Sequence, residues 1–117
     1  VPDLARVGTI DAVIHLAGEN VGSGRWTARI KDQILRSRAH GTSNLVQSLS
    51  KLKTTPRIFV SASAIGFYGS RGDEVLTEAS EPGSSFLASV CVKWEQALQS
   101  LPIEMRKVIL RFGVVFG

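Results

Sequence analysis

Cysteine is almost missing from this sequence, and long apolar runs are missing altogether. Cys91 is the single cysteine among 117 residues, so no intramolecular disulfide can form. This favours a reducing compartment, either the cytoplasm or an organelle stroma or matrix. Because no run of about 18 apolar residues and no signal-peptide pattern occurs, we expect no membrane partner. These absences argue against secreted disulfide scaffolds and membrane-spanning proteins.

The two signs of charge are separated along a chain whose formal net charge is +4. Lysine and arginine concentrate in residues 25–57, where Asp32 is the only acidic residue. In residues 73–81 all of the charged residues are acidic. A basic stretch can bind nucleic acid, but no nucleic-acid-binding motif accompanies this one. We therefore interpret it as a solvated helix face and expect no nucleic-acid partner. No metal site is predicted.

Three short runs are almost continuously apolar, and each is followed by small or polar residues. They are Asp11–Leu16, Arg57–Ala62, and the segment VILRFGVVF within residues 107–116. Continuous rather than alternating apolar residues are typical of parallel strands that are covered on both faces. The sequence therefore predicts three buried parallel strands.

The two segments between these strands are predicted to be helical. Residues 27–53 carry apolar side chains at helical spacing, and Gly41 inside this stretch suggests a packing reason for a glycine. After a polar loop at residues 69–83, a second helix begins with Ser84 or Ser85 as its cap and ends before Pro102. The order β-α-β-α-β predicts a partial Rossmann-type, doubly wound α/β fold, with three parallel strands and two long crossover helices in one domain over residues 1–117.

Ligands of doubly wound sheets bind beyond the carboxyl ends of the strands. Small residues at these ends allow a ligand to approach the backbone closely. The strand-end segments of this sequence are residues 15–20, residues 61–64 and residues 111–114. We therefore expect a ligand site where these three segments meet.

Six segments together resemble the extended and atypical short-chain dehydrogenases/reductases, the NAD(P)-dependent epimerase/dehydratase-like family. In chain order they are DAVIHLAGEN, HGTSNLVQSL, FVSASAIGFYG, LTEASEP, VKWEQA and ILRFGVVFG. The resemblance covers nearly the whole chain. It is strongest to an atypical branch described as predicted nucleoside-diphosphate-sugar epimerases or cell-division-inhibitor-like proteins.

The resemblance implies a site for NADP or NAD and for a small-molecule substrate. It places Ser63 at the family's catalytic serine, whose hydroxyl hydrogen-bonds the reacting oxygen. The remaining cofactor-binding residues that it implies are Leu16, Ala17, Gly18, Glu19, Ser61, Ala62, Phe112, Gly113 and Val114. The alternative for Ser61 and Ser63 is that their hydroxyls only satisfy backbone groups at the strand end. Tyr68 is interpreted as a packed turn residue rather than as an acid or base.

Three other positions depart from the family pattern. The family uses a Tyr and a Lys four residues apart on the second helix, and these positions hold Leu87 and Cys91. Cys91 is either a proton relay or a buried core thiol. Lys93 does not replace the missing Lys, because it falls on another helix face. Arg38 replaces the family's Asn, and it either binds an anionic group or forms a surface salt bridge. We include Ser63, Cys91 and Arg38 as candidate catalytic residues.

No Gly-rich GxxGxxG turn occurs in the sequence, although the family places one after its first strand. We therefore expect the carboxyl-side portion of a Rossmann domain, in which the Gly-rich first βα unit and the C-terminal substrate part are absent. The strand at residues 11–16 would then expose an edge. We expect a homodimer, paired through this edge or through the two long helices.

Two functions remain open at this point. The first is an NAD(P)-binding epimerase or oxidoreductase with an atypical active site, acting on a nucleotide-sugar or carbonyl substrate. The second is a catalytically inactive dinucleotide-binding protein with a regulatory or scaffold role related to cell division. Loss of the Tyr/Lys pair favours the second function, whereas retention of Ser63 favours the first.

Overall fold

The computed structural model describes residues 2–22 and 24–116. In chain order the elements are β1 (Ala12–His15), α1 (Ala28–Ser50), β2 (Ile58–Ala64), a short 3-10 helix (Ile65–Tyr68), α2 (Phe86–Gln96) and β3 (Arg106–Phe112). The strands form one sheet in the order β1-β2-β3, and both pairs are parallel. The predicted three-stranded parallel sheet with two crossover helices is confirmed.

The strand register controls which side chains reach the helices. Ile14 pairs with Val60, and Val60 pairs with Val108, so residues at one level of the sheet share a face. Because side chains alternate along a strand, Phe59 and Ser63 of β2 point to the same face. Both helices pack against this face. The opposite face is open, and Ile14 on it is 70% exposed. The prediction of three buried strands covered on both faces is therefore wrong for the described residues, because both crossover helices pack on the same side of the sheet.

The hydrophobic core lies between the helix-covered face of the sheet and the carboxyl ends of the two helices. Its buried members are Val46, Leu49, Phe59, Leu98, Leu101 and Met105. Leu98 and Leu101 follow α2, which ends at Gln96 and so several residues before the predicted end at Pro102. This core joins the helices to the sheet and holds the strand ends in fixed positions.

The helix boundaries follow from their caps. The side chain of Thr27 accepts a hydrogen bond from the backbone N–H of Ile30, and Ser85 accepts one from Ala88. Ser85, rather than Ser84, is therefore the cap of the second helix. The first helix ends at Ser50, three residues before the predicted end. β2 continues to Ala64, because its last residues pair with β3.

Gly41 lies inside α1 without interrupting it. A Cβ added there would meet only the backbone oxygen of Arg36, at 4.0 Å. The expected packing reason for this glycine is therefore wrong within the part of the chain that the structure describes. None of the helices in residues 2–22 and 24–116 combines the length and the apolar character that crossing a membrane requires.

The open space around Gly41 predicts that Gly41→Ala stabilises the protein. Alanine should raise the free energy of unfolding by about 0.5–1 kcal/mol, because glycine loses more backbone entropy when a helix forms. Urea denaturation followed by circular dichroism measures this change. Gly83→Ala is the matched control, since its Cβ would lie 2.5 Å from the carbonyl oxygen of Tyr68, and it should destabilise. Destabilisation by Gly41→Ala would contradict the helical geometry described above.

His15 makes the stability of the fold depend on pH. It is buried, and its Nε2 lies 2.8 Å from the hydroxyl oxygen of Thr42. Burial lowers the pKa of His15 below its ordinary value of 6.5. Below pH 6.5 the unfolded chain therefore binds more protons than the folded chain. The free energy of unfolding should therefore be fully retained above pH 6.5 and decrease as the pH falls below it.

Urea denaturation from pH 5 to pH 8, roughly the range over which histidine titrates, tests this dependence. His15→Gln should flatten the slope below pH 6.5. His40, the other histidine, is exposed, so His40→Gln should keep the slope. An unchanged slope in His15→Gln would show that another group is responsible.

Candidate functional site

A cleft of about 450 Å³ opens at the carboxyl ends of β2 and β3, beside α1 and α2. Its position follows from the parallel topology, because the strand ends and the starts of the following segments meet at one edge of the sheet. Six of the residues predicted for the site line it: Arg38, Ser63, Cys91, Phe112, Gly113 and Val114. Residues from four separate segments of the sequence thus meet at one place.

Ser63 lies at the end of β2 and is 3% exposed. Its Oγ donates a hydrogen bond to Oε1 of Glu95, at 2.7 Å. The partner is therefore a carboxylate on α2, not the backbone group that the alternative interpretation expected. Ser61 differs, since it is fully buried and its hydroxyl donates to the carbonyl of Ala62 at 3.1 Å.

Arg111 holds the carboxylate of Glu95 from the opposite side. Its Nε and Nη2 donate to the two carboxylate oxygens, each at 2.9 Å, which is a bidentate ion pair. The side chains of Arg111 and Glu95 are only 18% and 13% exposed. The Arg111 guanidinium also stacks 3.6 Å from the ring centroid of Phe67 and donates to the hydroxyl of Tyr68. Hydrogen bonding to Glu95 raises the pKa of Arg111 above its usual range.

Cys91 lies one helical turn before Glu95, on the same face of α2. Its Sγ is 3.8 Å from the carbonyl oxygen of Ala64 at the end of β2. Burial raises the pKa of the Cys91 thiol. Cys91 is buried and also lines the cleft, so it has properties of both the core thiol and the site residue.

Arg38 connects the loop after β1 to the cleft. Its Nη1 donates to the carbonyl oxygen of Glu19 at 3.0 Å, and its guanidinium lies 5.2 Å from the ring centroid of Trp94. The guanidinium occupies the space that a side chain at Gly18 would need. Burial lowers the pKa of Arg38. Arg38 thus contacts backbone and an aromatic ring, and it makes no surface salt bridge with a described residue.

Several predicted site residues lie outside the cleft. Leu16 and Ala17 are exposed at the end of β1, while Ala62 points to the opposite sheet face from Ser63. Gly18 and Glu19 reach the cleft only through Arg38. The cofactor-binding roles of Leu16, Ala17, Gly18, Glu19, Ser61 and Ala62 stay predictions.

Sequence reasoning missed the ion pair of Glu95 and Arg111. One signal was present, because Arg111 is the only charged residue in the apolar run VILRFGVVF. A charged side chain is rarely buried unless a group of opposite charge pairs with it. The partner was not predictable, because Glu95 is 16 residues away and on a different element.

The model of the NAD dependent epimerase/dehydratase family matches residues 3–117. The chain is 38% identical over 108 residues to the chloroplastic homolog of epimerase family protein SDR39U1 from Arabidopsis thaliana. That match covers 91% of this chain and 31% of the Arabidopsis protein. The chain spans about a third of the length of the curated relatives that it matches.

Two solved structures are similar over almost the whole chain. Human epimerase family protein SDR39U1 (isoform 2), crystallised with NADPH, has a TM-score of 0.87 and 28% identity, covering 93% of this chain and 38% of the human chain. The nucleoside-diphosphate sugar epimerase from Corynebacterium glutamicum has a TM-score of 0.76 and 35% identity, covering 95% of this chain and 23% of the Corynebacterium chain. These neighbours agree with the Rossmann-type architecture.

The contacts of Cys91 predict that its thiol stays protonated to a higher pH than a free cysteine. Iodoacetamide alkylation, measured against pH by mass spectrometry, should show a midpoint above that of cysteine in the urea-unfolded chain, because burial raises the pKa. Arg38→Met should raise the midpoint further, since the positive charge of Arg38 lowers the pKa of Cys91. Arg36→Met removes an exposed cation of the same helix and serves as the control. A lower midpoint in Arg38→Met would contradict this electrostatic coupling.

Proposed function

The chain belongs to the NAD-dependent epimerase/dehydratase family, and from that premise we propose that it carries part of the active site of an NAD(P)-dependent epimerase or oxidoreductase with atypical catalytic residues. The proposed substrate is a nucleotide-sugar or another carbonyl compound. The observation that carries the proposal is that Arg38, Ser63 and Cys91 line one cleft at the carboxyl ends of parallel strands. The named epimerase from Corynebacterium glutamicum supports the nucleotide-sugar class.

The residues of the cleft are compatible with a nicotinamide dinucleotide. The side chain of Trp94 lines the cleft, and its Nε1 is buried without a hydrogen-bond acceptor among the described residues. A buried donor without an acceptor is costly, so an acceptor on a ligand would satisfy it. The segment from Phe112 to Val114 would hold the nicotinamide side, and Gly18 with Glu19 would lie towards the ribose and diphosphate. A bound dinucleotide would supply hydride transfer.

The protein groups that act on a substrate differ from those of the family pattern. Leu87 lines the cleft at the position of the family's Tyr, and it has no proton to give. Ser63 is the polar side chain at the end of β2 that would contact the reacting oxygen. Arg38 would contact an anionic substrate group, although its Nη1 already donates to Glu19. The thiol of Cys91, which lines the same cleft, would transfer the proton.

Leu87 also supports the second candidate function, a dinucleotide-binding protein without turnover. An apolar side chain in place of the Tyr removes the standard proton donor while leaving the binding cleft in place. Such a protein would act through partners in regulation or as a scaffold. Cofactor binding without turnover is the outcome that would distinguish it from the enzyme.

The assembly and compartment that we propose are a homodimer in the cytoplasm or in an organelle stroma or matrix. In the sheet formed by the described residues, β1 and β3 lie at the two edges, so each presents unpaired backbone groups. α1 and α2 pack against each other, and their outer faces offer a second surface. Sedimentation analysis of the protein would separate a dimer from a monomer.

The proposed function predicts tight binding of a reduced dinucleotide near Trp94. The protein that carries this chain is titrated with NADPH and with NADH while indole fluorescence is followed, with Trp26→Phe to remove the other tryptophan of residues 1–117. Quenching should saturate for at least one of them. Nicotinamide absorbance is then followed with panels of nucleotide-sugars and carbonyl compounds.

Ser63→Ala is expected to reduce turnover by about tenfold, which is the size of one lost net hydrogen bond between Ser63 and the substrate. Ser89→Ala is the matched control, because Ser89 is exposed and its hydroxyl bonds only within α2. Saturable binding without turnover on any panel would favour the inactive dinucleotide-binding protein. Lack of binding to either dinucleotide would refute the proposed function.

A further inference from the structure

Ser63 and Arg111 are direct partners in the parallel register of β2 and β3. Their side chains therefore lie side by side on the helix-covered face of the sheet. Glu95 projects from α2 towards this face and contacts both of them, at 2.7 Å from Ser63 and 2.9 Å from Arg111. A serine at the cleft is thus joined to an ion pair that itself lies outside the cleft.

The hydrogen bond between Ser63 and Glu95 has a defined direction. Arg111 binds both oxygens of the Glu95 carboxylate, which is the geometry of an ionised carboxylate with a guanidinium. An ionised carboxylate only accepts hydrogen bonds. The proton in this contact therefore comes from Ser63, and no other group can receive it while the contact is made.

A hydroxyl has one proton to donate and two lone pairs that accept. With its proton directed at Glu95, Ser63 has only its lone pairs for a ligand in the cleft. A carbonyl oxygen placed against Ser63 would then meet an acceptor and lose its hydrogen bond. A hydroxyl group of a ligand would instead donate to Ser63 and be satisfied.

We propose that Glu95, held by Arg111, is a positioning residue that fixes the Ser63 hydroxyl as an acceptor and so selects a ligand group that donates a hydrogen bond. The chemical class is an alcohol, such as a sugar hydroxyl, in preference to the matching ketone. The inference rests on the proposed function for treating this cleft as the substrate site. It does not require a bound dinucleotide.

The test compares cyclohexanol with cyclohexanone, two probes of the same shape that differ in donor capacity. Their dissociation constants for the protein carrying this chain are measured by NMR titration, with the amide signals of Cys91 and Gly113 reporting the cleft. The protein should bind cyclohexanol about five- to tenfold more tightly, which is the size of one net hydrogen bond. Ser63→Ala should bring the ratio close to one.

Three variants separate positioning from a structural role. Glu95→Ala frees the Ser63 proton, so the ratio of the two dissociation constants should fall to about one or reverse in favour of the ketone. Glu95→Gln keeps an oxygen that accepts from Ser63, so it should retain the alcohol preference. Glu74→Gln is the matched control, since Glu74 forms the same kind of arginine pair with Arg71 at an exposed position. It should leave both dissociation constants unchanged.

Removal of Glu95 alone leaves the charge of Arg111 without its partner, which can prevent folding. The double variant Glu95→Ala/Arg111→Met removes both charges and should show the same loss of preference. Circular dichroism confirms that each variant is folded before titration.

Equal binding of the two probes to the unchanged protein would overturn the inference, as would an alcohol preference that survives in folded Glu95→Ala. A preference that depends on Glu95 supports it, even if neither NADPH nor NADH binds. Failure of dinucleotide binding and failure of this inference are thus separate results.

Discussion

The pairing of β2 with β3 determines the arrangement of the site. In the parallel register Ser63 is level with Arg111, so both reach the same helix from the same face of the sheet. A shift of one residue would turn one of them to the opposite face, because side chains alternate along a strand. The ion pair with Glu95 would then be lost. The register and the ion pair therefore depend on each other.

α2 supplies the other half of this arrangement. Cys91 and Glu95 are four residues apart and lie on one face of the helix, above the end of β2. Trp94 packs beside them and carries the contact with Arg38 from α1. One helix thus places a thiol and an aromatic ring against the cleft, and a carboxylate against the Ser63 hydroxyl. Its orientation is fixed by the apolar core at its carboxyl end.

The polar chemistry of the cleft differs from that implied by the family pattern. Leu87 and Cys91 occupy the positions of the Tyr and Lys, so the phenol and ammonium groups are replaced by an alkyl group and a thiol. The charged groups near the cleft are instead Arg38 and the pair of Glu95 with Arg111. A partly buried ion pair with both charges satisfied is costly to break from one side. It therefore holds its neighbour Ser63 in one geometry.

Much of the fold was predictable from local pattern. Continuous apolar runs predicted the parallel strands, and Thr27 and Ser85 were within the predicted starts of the helices, because capping depends on residues close in sequence. The strand ends were less predictable. β2 extends through Ser63 and Ala64 because these residues pair with β3, which is distant in the sequence.

By itself the sequence determined the element types, their order and the small residues at the strand ends, because these follow from local backbone preferences and apolar periodicity. Topology predicted a site at the strand ends, whereas Arg38 and Cys91 were assigned to it only through the family resemblance. The partners of these side chains were decided by the tertiary structure alone. Glu95 meets Ser63 and Arg111 across separations of 32 and 16 residues, and such contacts depend on helix packing and strand register together.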